Sequence, residues 1–510
     1  MGYKEITLKL ATDYSEDELR KKIEKEINTK EFSWQIKKKS LDARKKNKVH
    51  WQILVAVSSD RIKGGASIAA PTLDIPYSKK EKKVIVVGSG PAGFFCALVL
   101  QKAGFNTTLI ERGTEVSKRA EGIRKFETTE EFDPLSNYAF GEGGAGTFSD
   151  GKLTSRSKHI SLEREFIISS YISAGAPEVI RYMAHPHLGS DNLRKIIEVL
   201  RKQFLDIGGK VLFETLLEDM KSKDGKVYEA VTTNGTIEAD KIVVAPGNSA
   251  FETYRMLIGR GVQFRSKSCA IGCRIEHPQE VINKAQWGKR RLKGVKAAEY
   301  RLSSTGGGGF PVYTFCMCPG GSVVPSAAYG DTNIVNGMSY YSRNGKFSNA
   351  ACVAGINWDS LNNTEVSPLE ALDWVEALER KFYNYSDSFR APFCTIQNFI
   401  DQKEDKKIPE TSYPLGLEPA DLWNLLPSKI SDSIAVGLKE FSKKIKGFSE
   451  GTIMGLESKS SAPIQVLREK DGPCTGFKNL YVAGDGSGWS GGIISSAADG
   501  IKAALSIMKN

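Results

Sequence analysis

Four short apolar runs stand far apart along the chain, at residues 84–87, 107–110, 241–245 and 479–483. Continuous apolar runs of this length are typical of strands buried on both faces of a parallel sheet. The residues between the first two runs predict a helix over positions 94–103. Strand, helix and strand in this order predict an α/β fold whose sheet takes strands from both ends of the chain.

The first 80 residues have a different pattern. Residues 3–10 alternate apolar and polar positions like a strand, and residues 14–28 have the spacing of an amphipathic helix. A basic run at 37–48 leads to a second strand at 50–58, and a linker rich in Gly, Pro and Ser follows at 63–79. This order predicts a small α/β module, for which a ferredoxin-like fold is a candidate.

The middle of the chain combines helical and strand patterns. Residues 193–205 predict a helix, and 210–213, 227–232 and 236–239 predict antiparallel strands, with hairpin turns at Asp224-Gly225 and Asn234-Gly235. Residues 262–460 mix short strands, Gly-rich loops and helices, two of them at 368–383 and 431–441. A closing helix is predicted at 495–508.

A chain of 510 residues exceeds what one hydrophobic core supports, so several domains are expected. We predict an N-terminal module at 1–80, a split Rossmann-type domain at 81–261 and 461–510, and an inserted α+β substrate or cap domain at 262–460.

A glycine-rich turn follows the first buried run. Gly88, Gly90 and Gly93 have the GxGxxG spacing, in which the glycines permit a tight turn, close approach of a diphosphate and helix–strand packing. The following helix begins near Pro91 and would present its positive end to phosphates. Glu111 ends the second strand, where a carboxylate can accept hydrogen bonds from a ribose. The candidate contacts here are Gly88, Gly90, Pro91, Ala92, Gly93, Glu111 and Arg112.

The C-terminal part of the chain indicates which dinucleotide is bound. After the last buried run come Gly484 and Asp485, then a Ser/Gly/Trp loop, and then Gly491, Gly492 and Ile493 at the start of a helix. A nicotinamide dinucleotide needs no such distant partner, whereas the longer FAD has a ribityl chain. Asp485 can accept from a ribityl hydroxyl, and the helix N-terminus can stabilise negative charge on a reduced flavin. We therefore predict FAD.

The sequence resembles a family of largely uncharacterised bacterial FAD-dependent dehydrogenases within the two-dinucleotide-binding-domain, glutathione-reductase-like class. The resemblance covers nearly the whole chain. Its motifs are VVGSGPAGFFCALVL at 86–100, FGEGGAGTFSDGKLTSR at 140–156, HLGSDNLR at 187–194, VVAPGNSA at 243–250, AIGCRIEHP at 270–278, YTFCMCPGG at 313–321, NGMSYYSRNGKFSN at 336–349, SYPLG at 412–416 and the C-terminal stretch described above.

The resemblance implies further contacts to FAD. The loop at 141–151 is expected to surround the diphosphate and the flavin edge, with Gly143, Gly144, Ala145, Gly146, Thr147 and Lys152 as candidate ligands. The strand-end turn containing Ala245 and Gly247 is expected to pass near the cofactor. The physiological substrate is not indicated.

The electron donor and the catalytic residues are left open by the sequence. A second GxGxxG is absent, and the four glycines at 306–309 lack a strand–turn–helix context, so electrons come from the substrate or from NAD(P)H docking transiently. The catalytic candidates are Cys316, Cys318, His187 and Arg343. An extended CxC would point both sulfurs to the same side, and Arg343 is either an anion ligand or a solvated charge. No metal-ligand cluster stands out.

Charge adds one alternative. The net charge is +11, and residues 1–80 contribute +7 of it, with 18 Lys and Arg against 11 Asp and Glu. This basic module is either a solvated face or, in an alternative hypothesis, the RNA-binding part of an FAD-dependent RNA-modifying protein. Eight scattered cysteines and an N-terminus without an apolar targeting segment indicate a cytoplasmic protein with no membrane partner. Oligomeric state is not indicated.

Overall fold

The N-terminal module packs one helix on a three-stranded antiparallel sheet with the order β1-β3-β2. A computed structural model describes residues 2–65, 72–362, 364–470 and 472–509. Ser15 and Glu18 form a capping box at the start of the helix, and Leu19 and Ile23 enter the core. The elements are β1 (Gly2–Leu10), α1 (Glu16–Ile27), β2 (Ser33–Asp42) and β3 (His50–Ser59).

The predicted strand–helix–strand order misses one strand, β2, which lies between the helix and β3. The basic run divides between β2, which contains Lys37 to Lys39, and the turn that leads to β3. A bulge between Ile36 and Lys38 shifts the pairing of β2 with β3 and breaks the alternation by which a strand is identified. The predicted linker is described only in part, because residues 66–71 lie outside the described residues.

A five-stranded parallel sheet forms the next layer, in the order β22-β10-β4-β5-β6. The α/β fold is therefore confirmed, and this sheet takes its last strand from the far end of the chain. Its region contains β4 (Lys83–Val87), α2 (Pro91–Lys102), β5 (Asn106–Ile110), α3 (Val116–Thr129), α4 (Ser161–Ser173), α5 (Gly189–Asp206), β6 (Lys210–Leu212), β7 (Leu217–Lys223), β8 (Lys226–Thr232), β9 (Gly235–Glu238), β10 (Lys241–Val244) and α6 (Phe251–Gly259).

One predicted strand in this region pairs with a different strand from the one expected. Residues 210–213 were expected in an antiparallel set, but β6 pairs in parallel with β5 at the edge of the main sheet. The antiparallel set is β7-β8-β9, and its first strand is mostly polar, so no apolar alternation marks it in the sequence. The two predicted turns lie where expected, between β7 and β8 and between β8 and β9.

A seven-stranded sheet forms the core of the inserted region, in the order β13-β14-β17-β12-β20-β18-β19. Its central strands β12 and β17 are almost wholly buried. The region contains β11 (Phe264–Ser266), β12 (Cys269–Pro278), α7 (Gln279–Trp287), β13 (Ser303–Ser304), β14 (Val312–Cys318), β15 (Ser322–Pro325), β16 (Val335–Met338), β17 (Phe347–Ile356), α8 (Trp358–Asn362), α9 (Pro368–Ser386), β18 (Ala391–Thr395), α10 (Ile396–Asp401), β19 (Leu417–Pro419), α11 (Leu422–Leu425), α12 (Ser428–Lys444) and β20 (Thr452–Glu457).

The chain then returns to the parallel sheet. Strand β21 pairs with β11 in a two-stranded ribbon, and α13 packs across α2. The two helices cross closely at Gly500, where an added Cβ would lie 1.9 Å from the Ala92 carbonyl oxygen. Over the described ranges, no helix is both long and apolar enough to cross a membrane. The last elements are β21 (Ile464–Val466), β22 (Leu480–Val482) and α13 (Ile493–Lys509).

Candidate functional site

The carboxyl ends of β4, β10 and β22 bring three of the predicted segments together. The Ala245 N–H donates to the Val87 carbonyl at 2.8 Å, and the Ala483 N–H donates to the Val244 carbonyl at 3.0 Å. An added Cβ at Gly484 would lie 2.8 Å from the Ala92 Cβ. The glycine-rich turn, the turn containing Ala245 and Gly247, and Gly484-Asp485 therefore share one edge of the sheet, where ligands bind in open α/β sheets.

The N-terminus of α2 lies at this edge without a side-chain cap. Pro91 is the first helical residue, and the N-cap residue Gly90 provides no side chain to cap the helix. The first-turn N–H groups of a helix have no intrahelical partner, and together they carry a partial positive charge. The geometry therefore suits a phosphate group at this position.

Glu111 lies at the end of β5, as predicted, but its carboxylate already has partners. One oxygen accepts from the N–H and the hydroxyl of Ser89 at 2.9 and 2.8 Å. The other accepts from the N–H groups of Gly113 and Gly141 at 2.9 and 3.1 Å. Glu111 thus connects the glycine-rich turn with the loop at 141–151, and a ribose would have to share or replace one of these donors.

Arg112 points its guanidinium at an aromatic ring. Its Cζ lies 3.7 Å from the centre of the Phe140 ring, and its Nη1 pairs with Glu252. The Arg112 Nε is buried and lacks a hydrogen-bond partner in the described part of the chain. This position is beside Glu111, where the adenosine end of a dinucleotide is expected.

Arg119 organises the glycine-rich loop, and sequence reasoning missed it. This residue of α3 is completely buried, and its guanidinium donates to five backbone carbonyls. The acceptors, at 2.8 to 3.2 Å, are the carbonyls of Asn137, Tyr138, Gly141, Glu142 and Gly144. Burial lowers the pKa of Arg119 to about 10, so it remains charged at neutral pH. No local motif identifies Arg119, because its partners are backbone carbonyls, which every residue type has.

The loop that Arg119 holds lies directly on the turn before α2. An added Cβ at Gly144 would lie 2.9 Å from the Gly90 Cα, and one at Gly146 would lie 3.1 Å from the Ile493 side chain. The loop therefore touches both the start of α2 and the start of α13. Of the predicted ligands, Gly143 to Thr147 are adjacent to the glycine-rich turn and to Ile493.

An unsatisfied hydroxyl faces a small cavity in this region. The Thr147 Oγ1 is buried without a hydrogen-bond partner among the described residues. Thr147 lines the cavity together with Ser89, Pro91, Gly143 and Ile493. Because leaving a buried polar group unpaired costs about 1–3 kcal/mol, a ligand with hydrogen-bond acceptors would stabilise this arrangement. The uncapped start of α2 and the Thr147 hydroxyl therefore suit a phosphate, while the rest of the cavity lining, which includes Phe94, Phe95 and Tyr171, is apolar.

Asp485 has no side-chain partner in the described ranges of the structure and lies half-buried after β22. Burial raises the pKa of Asp485 to about 7, while the nearby Lys267 opposes the shift. An added Cβ at Gly491 would lie 3.6 Å from the Asp485 Oδ1. A carboxylate without a partner beside the start of α13 fits a ligand hydroxyl, as predicted for the ribityl chain.

The raised pKa of Asp485 predicts a pH-dependent stability of the FAD-free protein. In the unfolded chain this carboxyl ionises near its ordinary pKa of about 4, whereas in the folded chain it ionises at about 7. The folded state therefore has no penalty below pH about 4 and loses stability as the pH rises towards about 7. We expect Asp485→Asn to remove this loss.

Thermal unfolding without FAD at a series of pH values measures this effect. Burial also raises the pKa of Glu142 to about 7, so the test is the difference between the wild type and Asp485→Asn. That difference should grow between pH about 4 and about 7 in favour of the variant. A difference that does not change with pH would contradict an unpartnered Asp485.

A buried ionic cluster lies where the glycine-rich loop meets the inserted region. Asp150 accepts from the Nε and Nη2 of Arg343 at 2.9 and 2.6 Å, and Lys152 lies 2.9 Å from the same carboxylate. Arg343 also pairs with Glu299 at 2.6 Å, and Ser339 donates to Asp150. Arg343 and Lys152 hold the pKa of the Asp150 carboxyl well below its usual range, despite its burial.

This cluster corrects one expectation for Arg343. It is not a solvated charge, because its side chain is 5% exposed and is bound by two carboxylates. Lys152, predicted as a cofactor ligand, directs its ammonium to Asp150 and to the Met317 carbonyl. The His187 ring shares a hydrogen bond with the Tyr341 carbonyl at 3.1 Å, and burial lowers the pKa of His187 to about 4. His187 is therefore neutral at pH 7.

The two cysteines of the CxC differ from the predicted extended arrangement. A bulge interrupts the pairing of β14 with β17 between Phe315 and Cys318, and Cys316 has a φ of +43°. As a result Cys316 is exposed, while Cys318 is buried and its thiol donates to the Cys316 carbonyl at 3.3 Å. The Nη2 of Arg274 lies 3.6 Å from the Cys318 sulfur.

Three family descriptions match successive parts of the chain. "Pyridine nucleotide-disulphide oxidoreductase" matches residues 82–253, and "FAD-dependent protein, C-terminal domain-like" matches residues 268–460. A domain of unknown function matches residues 3–58. The first two matches cover the parallel sheet up to α6 and the seven-stranded sheet.

Comparison with whole proteins finds one long match in sequence. An "uncharacterized protein" of Clostridium beijerinckii is 35% identical over 534 residues, covering 98% of both chains. Weak similarity in structure is found to glycine oxidase from Geobacillus kaustophilus, with a TM-score of 0.38 at 12% identity, over 84% of this chain and 95% of that one. L-proline dehydrogenase from P. horikoshii gives a TM-score of 0.36 at 12% identity, over 85% and 94% of the chains.

Proposed function

Since this chain belongs to a bacterial family of FAD-dependent oxidoreductases, we propose that it binds one FAD along the carboxyl edge of its parallel sheet. The observation that carries the proposal is the convergence there of three groups that have no partner among the described residues. These are the uncapped N-terminus of α2, the Thr147 hydroxyl and the Asp485 carboxyl. An anion-binding helix start and a hydroxyl suit a diphosphate, and a carboxyl suits the hydroxyls of a ribityl chain.

In this proposal the predicted ligands divide between the parts of the cofactor. Glu111 and Arg112 hold the adenosine end, and the first turn of α2 holds the diphosphate together with Thr147. Asp485 accepts from the ribityl chain, and the N-terminus of α13 lies beyond it. Arg119 does not touch the cofactor but positions the loop that does.

The chemistry is proposed to occur where the glycine-rich loop meets the seven-stranded sheet. FAD, when bound, supplies a ring that accepts a hydride and passes it on. In this region the protein places the positive charge of Lys152, whose ammonium is held by Asp150 and the Met317 carbonyl. Cys316, whose thiol lies near Lys152, and the neutral His187 ring are beside the same cluster. We propose residues 81–261 and 461–510 as the cofactor domain and 262–460 as the substrate domain.

We further propose that NAD(P)H docks transiently as the donor and that the enzyme is cytoplasmic. The described part of the chain contains one parallel sheet with a glycine-rich turn, so the donor has no nucleotide fold of its own. The eight cysteines are all free, which suits a reducing compartment.

The test is the visible spectrum of the purified protein, followed by anaerobic mixing with NADH or NADPH. We expect a flavin spectrum, release of FAD on denaturation and rapid bleaching by one nicotinamide. A protein that neither carries FAD nor takes it up from solution would contradict the proposed site. Bound FAD that neither nicotinamide reduces would contradict the proposed donor alone.

A further inference from the structure

Two basic segments, far apart in the sequence, meet on one surface. Residues 44–48 form the turn between β2 and β3, and residues 289–293 follow α7. An added Cβ at Gly288 would lie 3.5 Å from the Lys46 Cβ, and one at Gly294 would lie 1.9 Å from the Thr12 carbonyl oxygen. We call this the basic surface; its cations are Arg44, Lys45, Lys46, Lys48, Lys289, Arg290, Arg291 and Lys293.

The basic surface is not neutralised by the protein. Its ion pairs are Arg44 with Asp42, Arg290 with Glu280 and Lys293 with Asp13. The remaining cations have no ion pair or hydrogen bond from a side chain in the described residues; these are Lys45, Lys46, Lys48, Lys289 and Arg291. A concentration of like charge of this size attracts an anionic partner over about a Debye length.

The basic surface continues towards the ionic cluster through lysines that lie on aromatic rings. The Lys296 ammonium lies 3.0 Å from the centre of the Tyr341 ring and donates to the Tyr341 carbonyl at 2.6 Å. In the N-terminal module, the Lys39 ammonium lies 4.6 Å from the centres of both the Tyr14 and Trp51 rings. Trp51 is a buried core residue, whereas the Tyr14 and Tyr341 rings are half-buried beside these lysines, a combination with which single-stranded nucleic acids interact through their bases and phosphates.

We propose that the basic surface binds the sugar–phosphate backbone of a nucleic acid. An anionic membrane fits less well, because none of the exposed large apolar side chains of the described residues lies in either segment. Five unpaired cations correspond to about five phosphates, which in a single strand predicts a slope of log affinity against log salt of about −3 to −4. The proposal concerns binding and is independent of the proposed flavin chemistry.

Fluorescence anisotropy of a labelled single-stranded RNA with the FAD-loaded full chain tests the proposal across a KCl series. We expect binding that weakens steeply with salt. We expect Lys45→Glu/Lys46→Glu and Lys289→Glu/Arg291→Glu each to reduce the affinity at least about tenfold and to flatten the slope by about 0.7 unit per lost contact. The matched control is Lys406→Glu/Lys407→Glu, an exposed lysine pair elsewhere, which should change the affinity less than about twofold.

The two double variants and the control distinguish RNA binding at the basic surface from a general effect of the protein's net charge. Flavin content should equal that of the wild type in all three variants, which checks folding and keeps this test apart from the proposed cofactor site. Absence of RNA binding at low salt, or an equal loss in the control variant, would overturn the proposal. Binding to phosphatidylserine-containing vesicles but not to RNA would assign the surface to a membrane and would also overturn it.

Discussion

Replacement of Gly90 by alanine is expected to weaken FAD binding at least about tenfold, a loss of about 1.4 kcal/mol, without destabilising the FAD-free protein. Gly90 has a φ of −65°, which suits any residue. An added Cβ would have one neighbour within 4 Å, the Gly144 Cα at 3.7 Å. Alanine therefore fits the FAD-free protein, but its methyl group adds bulk at the start of α2, where we place the diphosphate.

Gly93→Ala provides the contrast. An added Cβ at Gly93 would lie 1.8 Å from the Gly88 carbonyl oxygen, so the helix or the strand must shift. We expect this variant to lose both stability and FAD. Calorimetric titration with FAD and thermal unfolding without it distinguish the two variants. Wild-type affinity in a folded Gly90→Ala protein would mean that the diphosphate lies elsewhere.

The parts of the fold that the sequence predicts well are those with local signals. The buried runs become β4, β5, β10 and β22 because an apolar run of that length has few other places in a folded protein. Helices α9 and α12 extend only a few residues beyond their predicted ranges. The pairing partner of a strand is not predictable in this way. Strand β6 pairs with β5, which lies about a hundred residues earlier, and no local pattern indicates that pairing.

The sequence predicts only those parts of the site in which residues recur at a fixed, local spacing. The GxGxxG turn and Gly484-Asp485 were found because glycines and a strand-end carboxylate recur at fixed spacing. Asp150 and Arg343 lie 193 residues apart in the sequence, and neither has a local pattern that points to the other. The basic surface is similar, since its second segment becomes relevant only when the fold places Gly288 beside Lys46.

Arg119 is the strongest example of a residue that only the structure reveals, and Arg119→Lys is expected to be severe. The planar guanidinium reaches five carbonyls between residues 137 and 144. A lysine has one nitrogen with three donors and loses its charge more readily when buried. Because a buried hydrogen bond to a charged group contributes about 1.5–3 kcal/mol, we expect the free energy of unfolding to fall by roughly 3 kcal/mol or more.

The same change should release the loop and with it the cofactor. Denaturant unfolding measures the stability, and limited proteolysis measures whether residues 141–148 become accessible. Arg124→Lys is the matched control, because Arg124 is exposed on the same helix and should change stability by less than about 0.5 kcal/mol. If Arg119→Lys kept its stability but lost FAD, the guanidinium would have to contact the cofactor itself. If it kept both, the loop would be held by Glu111 and its own turns, and the Gly144 contact with Gly90 would not depend on α3.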